Sequence, residues 1–336
     1  MHLLVGNPTA QSGRNAERID EARRLLDAYG LRHDFLSTRS GGRTVGDVAK
    51  ALTGGAYGAV VAMGGDGTFA EVGKGLLESG TGLPMGILPT GTANDQGRSF
   101  GMSAAPRYLE TNVATIAAGQ TAPLDAGRVS AFDHLDQLLA QDWFFDSLGW
   151  GISARVLRLR NEDRRLVAGV PLLRELYRDH VVYAGALLQA FLASYIEEQK
   201  FEAEVVMPDR TVYLENLTDL IVKNTRMYAG AWVFDTTGSP EDGEMELVPF
   251  RGRNEWIARA VVNLEGVPLP LPFEEMAELS PVYRARVFDI RIHDRPMGQP
   301  VEAQLDGEEW ITAGRWRVEV VRHALRLIVP ALPTDE

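Results

Sequence analysis

Two glycine-rich stretches carry the residue types that phosphate chemistry needs. Gly64-Gly65-Asp66-Gly67-Thr68 directly follows the apolar run Ala59–Met63 and precedes Phe69–Leu77, a segment with the character of a helix. Glycines in such a turn let backbone N–H groups approach phosphate oxygens, and a helix N-terminus adds a favourable dipole. Asp66 in the middle would repel phosphate unless it orients a metal, a base or a hydroxyl. On this turn alone, a tight strand-to-helix connection capped by Asp66 is the alternative. Gly91-Thr92-Ala93-Asn94-Asp95 repeats the arrangement after the next apolar run, Met85–Leu88, and Asn7-Pro8-Thr9-Ala10-Gln11-Ser12-Gly13 follows the first, Leu3–Val5. Polar loops at the C-terminal ends of neighbouring strands lie where open α/β sheets bind ligands.

Phosphoryl transfer also requires positioning, charge neutralisation by Mg²⁺ and a group that takes up the proton of the acceptor hydroxyl. Two carboxylate-glycine-carboxylate turns offer these groups: Asp242-Gly243-Glu244, within Ser239–Glu244, and Asp306-Gly307-Glu308. As bare tripeptides they suit solvated turns equally well, since Asp-Gly is a common turn dipeptide. The six histidines show no metal-ligand spacing and there is no cysteine, which argues against zinc and excludes disulfides and thiolate chemistry.

The turns must be held by a scaffold, and the short apolar runs with helical patterns between them predict a parallel α/β sheet. One such helix is Arg14–Tyr29, where Ile19, Ala22, Leu25, Leu26 and Tyr29 recur at three-to-four spacing and Gly30 marks the stop. After about Asp125 the texture turns β-rich, as in Trp143–Phe145, Val205–Met207, Leu220–Val222 and Val287–Ile292, and alternation there predicts antiparallel pairing. Trp316–Val321 and Leu325–Val329 read as paired strands that pack back on the first domain. A chain of 336 residues exceeds the roughly 250 to 300 at which one core stops growing. The expected organisation is an α/β domain with a parallel sheet over 1–125, a β-rich antiparallel domain over 126–315 with a cleft between them, and C-terminal strands over 316–336. Within Phe144–Gly151, which opens the second domain, the glycines either permit backbone approach near the cleft or mark a bulged core strand.

With 46 acidic against 34 basic residues the net charge is −12, which argues against a nucleic-acid partner and leaves attraction to anionic lipid to local patches. Arg155, Arg158, Arg160, Arg164, Arg165, Arg174 and Arg178 form one such concentration, with a helix face neutralised by Glu162, Asp163, Glu175 and Asp179 as the alternative. Val267-Pro268-Leu269-Pro270-Leu271-Pro272-Phe273 is either an apolar insertion loop or a rigid buried connector. The most apolar window, Val181–Ile196, falls short of the roughly 20 residues that span a bilayer and reads as a buried helix. The N-terminus reads as a strand that begins the fold directly, without the features of a secretion signal.

In their order along the chain, the Gly64–Thr68 turn, the longer Gly91–Ser99 turn and the late Asp306-Gly307-Glu308 resemble the motifs of the diacylglycerol kinase catalytic domain family, which includes bacterial lipid kinases and sphingosine and ceramide kinases. The sheet domain also resembles NAD kinases and, more distantly, phosphofructokinases, which share the first turn. Thr90 departs from the small or aliphatic residue that lipid kinases often carry. The resemblance implies an ATP-dependent lipid kinase using Mg²⁺. It implies that Asn7, Pro8, Thr9, Ala10, Gln11, Thr38, Gly64, Gly65, Asp66, Gly67, Thr68, Glu71, Thr92 and Asn94 hold the nucleotide. Lys223–Gly230, followed by Asp242-Gly243, resembles the second-domain block in which an Asp side chain and two main-chain oxygens bind a structural Mg²⁺. Carried over, those ligands are Asp242, Ser239 and Glu244. Glu308 then stands as proton acceptor with Asp306 positioning metal or base, while sphingosine kinases give the base role to the residue equivalent to Asp66. Both assignments stay open. The implied partner is a lipid at a membrane surface, reached from the cytoplasm at the inner face, and a homodimer is among the open states. The rival functions are an NAD-kinase-like enzyme for a soluble acceptor and a nucleotide-binding regulator without catalysis.

Overall fold

The computed structural model describes residues 1–8, 14–91, 93–155, 157, 200–228, 232–233, 238–252, 255–256, 259, 279–293 and 300–331. The chain opens with β1 (His2–Gly6), α1 (Arg14–Ala28), β2 (His33–Ser37), α2 (Arg43–Thr53), β3 (Ala59–Gly64) and α3 (Asp66–Ser79). There follow β4 (Pro84–Pro89), α4 (Asp95–Ser99), α5 (Leu109–Ala118), β5 (Thr121–Phe132), β6 (Leu138–Phe144) and β7 (Ser147–Gly151). The strands β8 (Phe201–Val206), β9 (Thr211–Leu217), β10 (Asp219–Lys223), β11 (Met227–Tyr228), β12 (Trp232–Val233) and β13 (Met245–Phe250) come next. The last described strands are β14 (Tyr283–Ala285), β15 (Val287–His293), β16 (Ala303–Leu305), β17 (Glu308–Trp310) and β18 (Arg315–Ile328).

β1 to β4 are parallel in the order β2-β1-β3-β4, and their alternating side chains sort onto two faces. Leu3, Val5, Val60, Ala62, Met85 and Ile87 join Val48 and Leu52 of α2 and Phe69, Val72 and Leu76 of α3. Leu4, Val61, Met63 and Leu88 join Ile19, Ala22 and Leu26 of α1 and Val113 and Ile116 of α5 on the other side. The sheet is therefore covered by helices on both faces, as fully apolar parallel strands require. Because the chain moves outward from β1 to β2 and then returns to β3 and β4, the loops after β1 and β3 diverge at the point where the winding reverses.

The second half is antiparallel, in agreement with the alternation of its strands. A six-stranded sheet, β14-β13-β10-β7-β16-β17, packs on the far part of the larger ten-stranded sheet. Their shared core contains Leu148, Trp150, Leu220, Val222 and Leu305 from the smaller sheet and Val129, Phe288, Ile290 and Trp316 from the larger one. Ser147–Gly151 is thus a fully buried central strand, and Gly151, at φ 105°, takes a backbone conformation that side chains disfavour.

One sequence expectation is corrected. Trp316–Val321 and Leu325–Val329 do not pair with each other; they belong largely to one strand, β18, with an irregularity between Val321 and Leu325 where His323 adopts φ 51°. The bulge interrupts the alternation, which makes one strand look like two. β18 pairs antiparallel with β5 from Arg315↔Phe132 to Ile328↔Thr121, and parallel with β4 at Arg326↔Pro84 and Leu327↔Met85. Asp125 lies inside β5 and Arg315 begins β18, so ladder hydrogen bonds run on through both positions.

Candidate functional site

The C-terminal ends of β1, β2, β3 and β4 lie on one edge of the sheet, since Gly6 is level with both Ser37 and Met63, and Gly64 is level with Pro89. This edge gathers Asn7, Pro8, Thr38, Gly64–Thr68 and Asn94. Thr38 donates its N–H to the Gly6 carbonyl (2.9 Å), and Asn15 Nδ2 donates to the Asn7 carbonyl (2.7 Å), which fixes the start of the first loop. Thr9, Ala10, Gln11 and Thr92 lie outside the described residues.

The two glycine turns touch. A Cβ on Gly91 would lie 2.4 Å from Gly65 Cα, one on Gly65 would lie 3.1 Å from Gly91 Cα, and Thr90 N–H donates to the Gly64 carbonyl (2.8 Å). Gly64 has a further reason of its own, because a Cβ there would meet the Thr68 hydroxyl at 2.2 Å. The glycines therefore serve backbone packing between the turns. Asn94, at φ 54°, folds its side chain onto the second turn, accepting from Gly91 N–H and donating to Gly91 O, both at 2.8 Å. It shapes the turn instead of reaching outward.

This backbone-to-backbone seam joins two turns at the reversal point of a parallel sheet, with a helix starting at each. Residues 1–129 match the diacylglycerol kinase catalytic domain family. Asp66, Thr68, Glu71 and Asn94 fall inside that stretch; Asp242, Asp306 and Glu308 fall beyond it. The chain is 36% identical over 118 residues to the "Probable lipid kinase YegS-like" of Klebsiella pneumoniae, covering 35% of this chain and 38% of the relative. It is 31% identical over 196 residues to a "Diacylglycerol kinase" of Mycobacterium tuberculosis, covering 56% and 53%. The chain thus spans about half or less of the length of these curated relatives. A diacylglycerol kinase structure from Bacillus anthracis superposes with a TM-score of 0.68 at 16% identity, covering 98% of this chain and 96% of that one. That likeness extends the shared fold over both halves.

Within the region matching the diacylglycerol kinase catalytic domain, Asp66 is the first residue of α3, and its Oδ1 accepts the Gln96 N–H (3.1 Å). Burial holds its carboxyl above the ordinary aspartate range and the nearby charge of Asp146 adds to this, against the Gln96 bond. Glu71, one turn further along α3, is also pushed up, first by burial and in part by the charge of Glu308, while the Thr44 hydroxyl and Lys74 oppose the shift. The charge of Glu308, at the head of β17 in the other sheet, is therefore felt at α3.

Asp306-Gly307 forms the two-residue turn of the β16–β17 hairpin, closed by Leu305↔Glu308, with φ of 47° and 78°. Two positive φ values are the signature of the tight hairpin turn that favours Asp-Gly. This leaves Glu308 exposed at the first position of β17. Asp306 turns inward: its carboxylate accepts the N–H groups of Phe145 (2.9 and 3.2 Å), Asp146 (2.8 Å) and Ser147 (3.1 Å). Its chemistry is to hold the β6–β7 connection.

Asp146 was not among the residues singled out from sequence. It is buried; Oδ1 accepts from Lys223 Nζ (2.8 Å) and the Thr225 hydroxyl, and Oδ2 from Ser147 Oγ (3.1 Å). Lys223 also donates to the Met227 carbonyl, and Asn224 Nδ2 donates to the carbonyls of Asp125 (2.7 Å) and Phe145 (2.9 Å). Asp125 ties these elements together: its carboxylate accepts Gly243 N–H (2.7 Å) and His323 N–H (2.6 Å). A lysine closing the apolar strand Leu220–Val222 is the sequence signal that should have pointed to a buried carboxylate partner.

Asp306 is pushed up to about 7, by burial first and by the charge of Asp146 second, against the three N–H bonds. An unfolded aspartate ionises near about pH 4, so between about pH 4 and about pH 7 the folded chain holds the extra proton and loses stability as pH rises. Urea midpoints measured across that window should fall more steeply for the wild type than for Asp306→Asn. Parallel slopes would place the proton elsewhere.

Ser239, Asp242 and Glu244 share one loop. Asp242 Oδ1 accepts Glu244 N–H (3.0 Å) and Oδ2 lies 3.0 Å from Arg284 Nη2, which also bonds Glu246 (2.7 Å). The donors are all oxygen, as a hard cation requires, and Arg284 would keep Glu246 if a cation took its place at Asp242; the residues fit Mg²⁺. Among the described residues no group of three or more His, Asp and Glu forms a metal site. Among the same residues no helix is long and apolar enough to cross a membrane. Val181–Ile196, Val267–Phe273 and all the clustered arginines except Arg155 lie outside the described residues.

Proposed function

We propose that this chain moves the γ-phosphate of ATP onto a hydroxyl of a lipid. The observation that carries the reading is the pairing of the touching glycine turns, with Asp66 beside them, and the Asp306-Gly307-Glu308 hairpin tied to α3 through Phe145. The match to the diacylglycerol kinase catalytic domain and the names of the relatives support it.

On this reading the backbone amides at the start of α3 and along the first two loops bind phosphate oxygens, and Thr38, Thr68, Glu71 and Thr92 orient the nucleotide. Mg²⁺, when bound, supplies charge neutralisation at the phosphates and order at the Ser239–Glu244 loop. The acceptor oxygen forms its bond to the γ-phosphorus as the bond from phosphorus to the bridging oxygen breaks, releasing ADP; the acceptor proton passes to Glu308 or to Asp66. Burial raises the proton affinity of the Asp66 carboxyl, which favours proton uptake. The lipid is met at a membrane surface on the cytoplasmic side.

Single-turnover transfer from γ-labelled ATP to diacylglycerol, a sphingoid base and ceramide in mixed micelles, with NAD and water as parallel acceptors, tests the reading. Label should enter one lipid. Transfer to NAD alone would make this a soluble-acceptor kinase, and release to water alone would remove the lipid.

A further inference from the structure

Phe144, the last residue of β6, and Phe145, which follows it, enter different cores. Phe144 belongs to the core between the two sheets, lying so close over β5 that a Cβ on Gly127 would fall 2.1 Å from its ring. Phe145 belongs to the core of the parallel sheet. Both are fully buried. The Phe145 ring meets Phe69 edge-on (centroids 5.6 Å, planes at 86°) and fills a notch in α3 at Gly73, where a Cβ would lie 2.8 Å from Phe145 Cζ and 3.3 Å from Leu325 Cδ1. Glycine inside a helix is disfavoured against alanine, so position 73 is held by this close approach.

We propose that Phe145 is a positioning residue that sets the distance between the nucleotide-side helix and the hairpin carrying Glu308, an inference that rests on the phosphotransfer reading for its effect on turnover. The ring is locked into α3, the helix that begins at Asp66 and carries Glu71. The backbone N–H of the same residue, with those of Asp146 and Ser147, is locked onto Asp306, the residue two before Glu308. One residue is therefore gripped at its ring by one half of the site and at its amide by the other. Displacing the ring must displace the hairpin, α3 or both, because close-packed interiors transmit such shifts.

The test uses Gly73→Ala, Phe145→Leu and the double variant. Because the chain has no cysteine, Lys50→Cys and Glu309→Cys give a clean pair of spin-label sites, one exposed on α2, which packs on α3, and one exposed on β17. Gly73→Ala should shift or broaden the label distance and lower kcat for ATP turnover on diacylglycerol micelles about 10- to 100-fold, with KM for ATP within about threefold. Phe145→Leu added to Gly73→Ala should recover most of the distance and of kcat, since the shorter side chain vacates the space that the new methyl needs. Wild-type distance and kcat in a folded Gly73→Ala overturn the proposal, as does a double variant no better than the single one. If Gly73→Ala does not fold, Phe145→Leu alone decides: a broadened distance with a cooperative melt supports the role, and an unchanged one refutes it. A wild type that phosphorylates no lipid refutes the function while the label distances still decide the positioning.

Discussion

Glu308→Gln is expected to lower kcat by about a hundredfold or more with little change in the melting temperature, the scale of a lost acid/base group. Glu308 is exposed and heads β17, so glutamine keeps the hairpin pairing with Leu305 and removes only the charge and the proton-accepting capacity. A second readout follows from the electrostatics. Glu71 is pushed up in part by the charge of Glu308, so its carboxyl should titrate at lower pH in the variant, which NMR of the side-chain carbonyl can follow. Asp66→Asn is the comparison that assigns the base. Whichever of the two substitutions removes the acid limb of the kcat/KM profile identifies the group that takes the proton. Near-normal turnover in both variants would dissolve the site.

Gly91→Ala is expected to weaken ATP binding and lower turnover together, by about a hundredfold in kcat/KM, because misplacing a binding element by about 1 Å can cost that much. The new methyl would lie 2.4 Å from Gly65 Cα and 2.9 Å from Asn94 Oδ1, and a backbone atom has no rotamer by which to yield. Both turns must then part. Gly65→Ala, at 3.1 Å from Gly91 Cα, meets a looser contact and should lose less. Overpacking of this sort also destabilises by about 1–3 kcal/mol, so calorimetric ATP titration should be read beside a melt. Equal and small effects from the two alanines would mean that the turns touch without depending on each other.

Much of the parallel-sheet half is legible because its signals are local. Strand, turn and helix succeed one another within about fifteen residues, and an apolar run such as Ala59–Met63 followed by Gly-Gly-Asp-Gly leaves few conformations that fit. The same locality explains what was missed. Asp146, Lys223, Asn224 and Asp125 are brought together from β5, the β6–β7 connection and β10, and no spacing along the chain relates them. The Asp306-Gly307-Glu308 hairpin was visible as a motif, yet the division of labour inside it was not: a type of turn with two positive φ values sends Glu308 outward and Asp306 inward onto three backbone amides. The turn sequences suggest phosphate approach for the glycines at 65 and 91, whereas their packing against each other depends on the register of β3 and β4, which no single turn reveals.

The long bulged strand β18 has a consequence for how the molecule is made. Leu327 and Arg326 complete the edge of the parallel sheet beside β4, and Leu325 closes the socket around Phe145. The parallel-sheet half, whose other parallel strands are finished by residue 89, therefore lacks one edge until residues 325–328 have been synthesised. Its folding is coupled to synthesis of β18, so the two halves should consolidate together instead of one after the other.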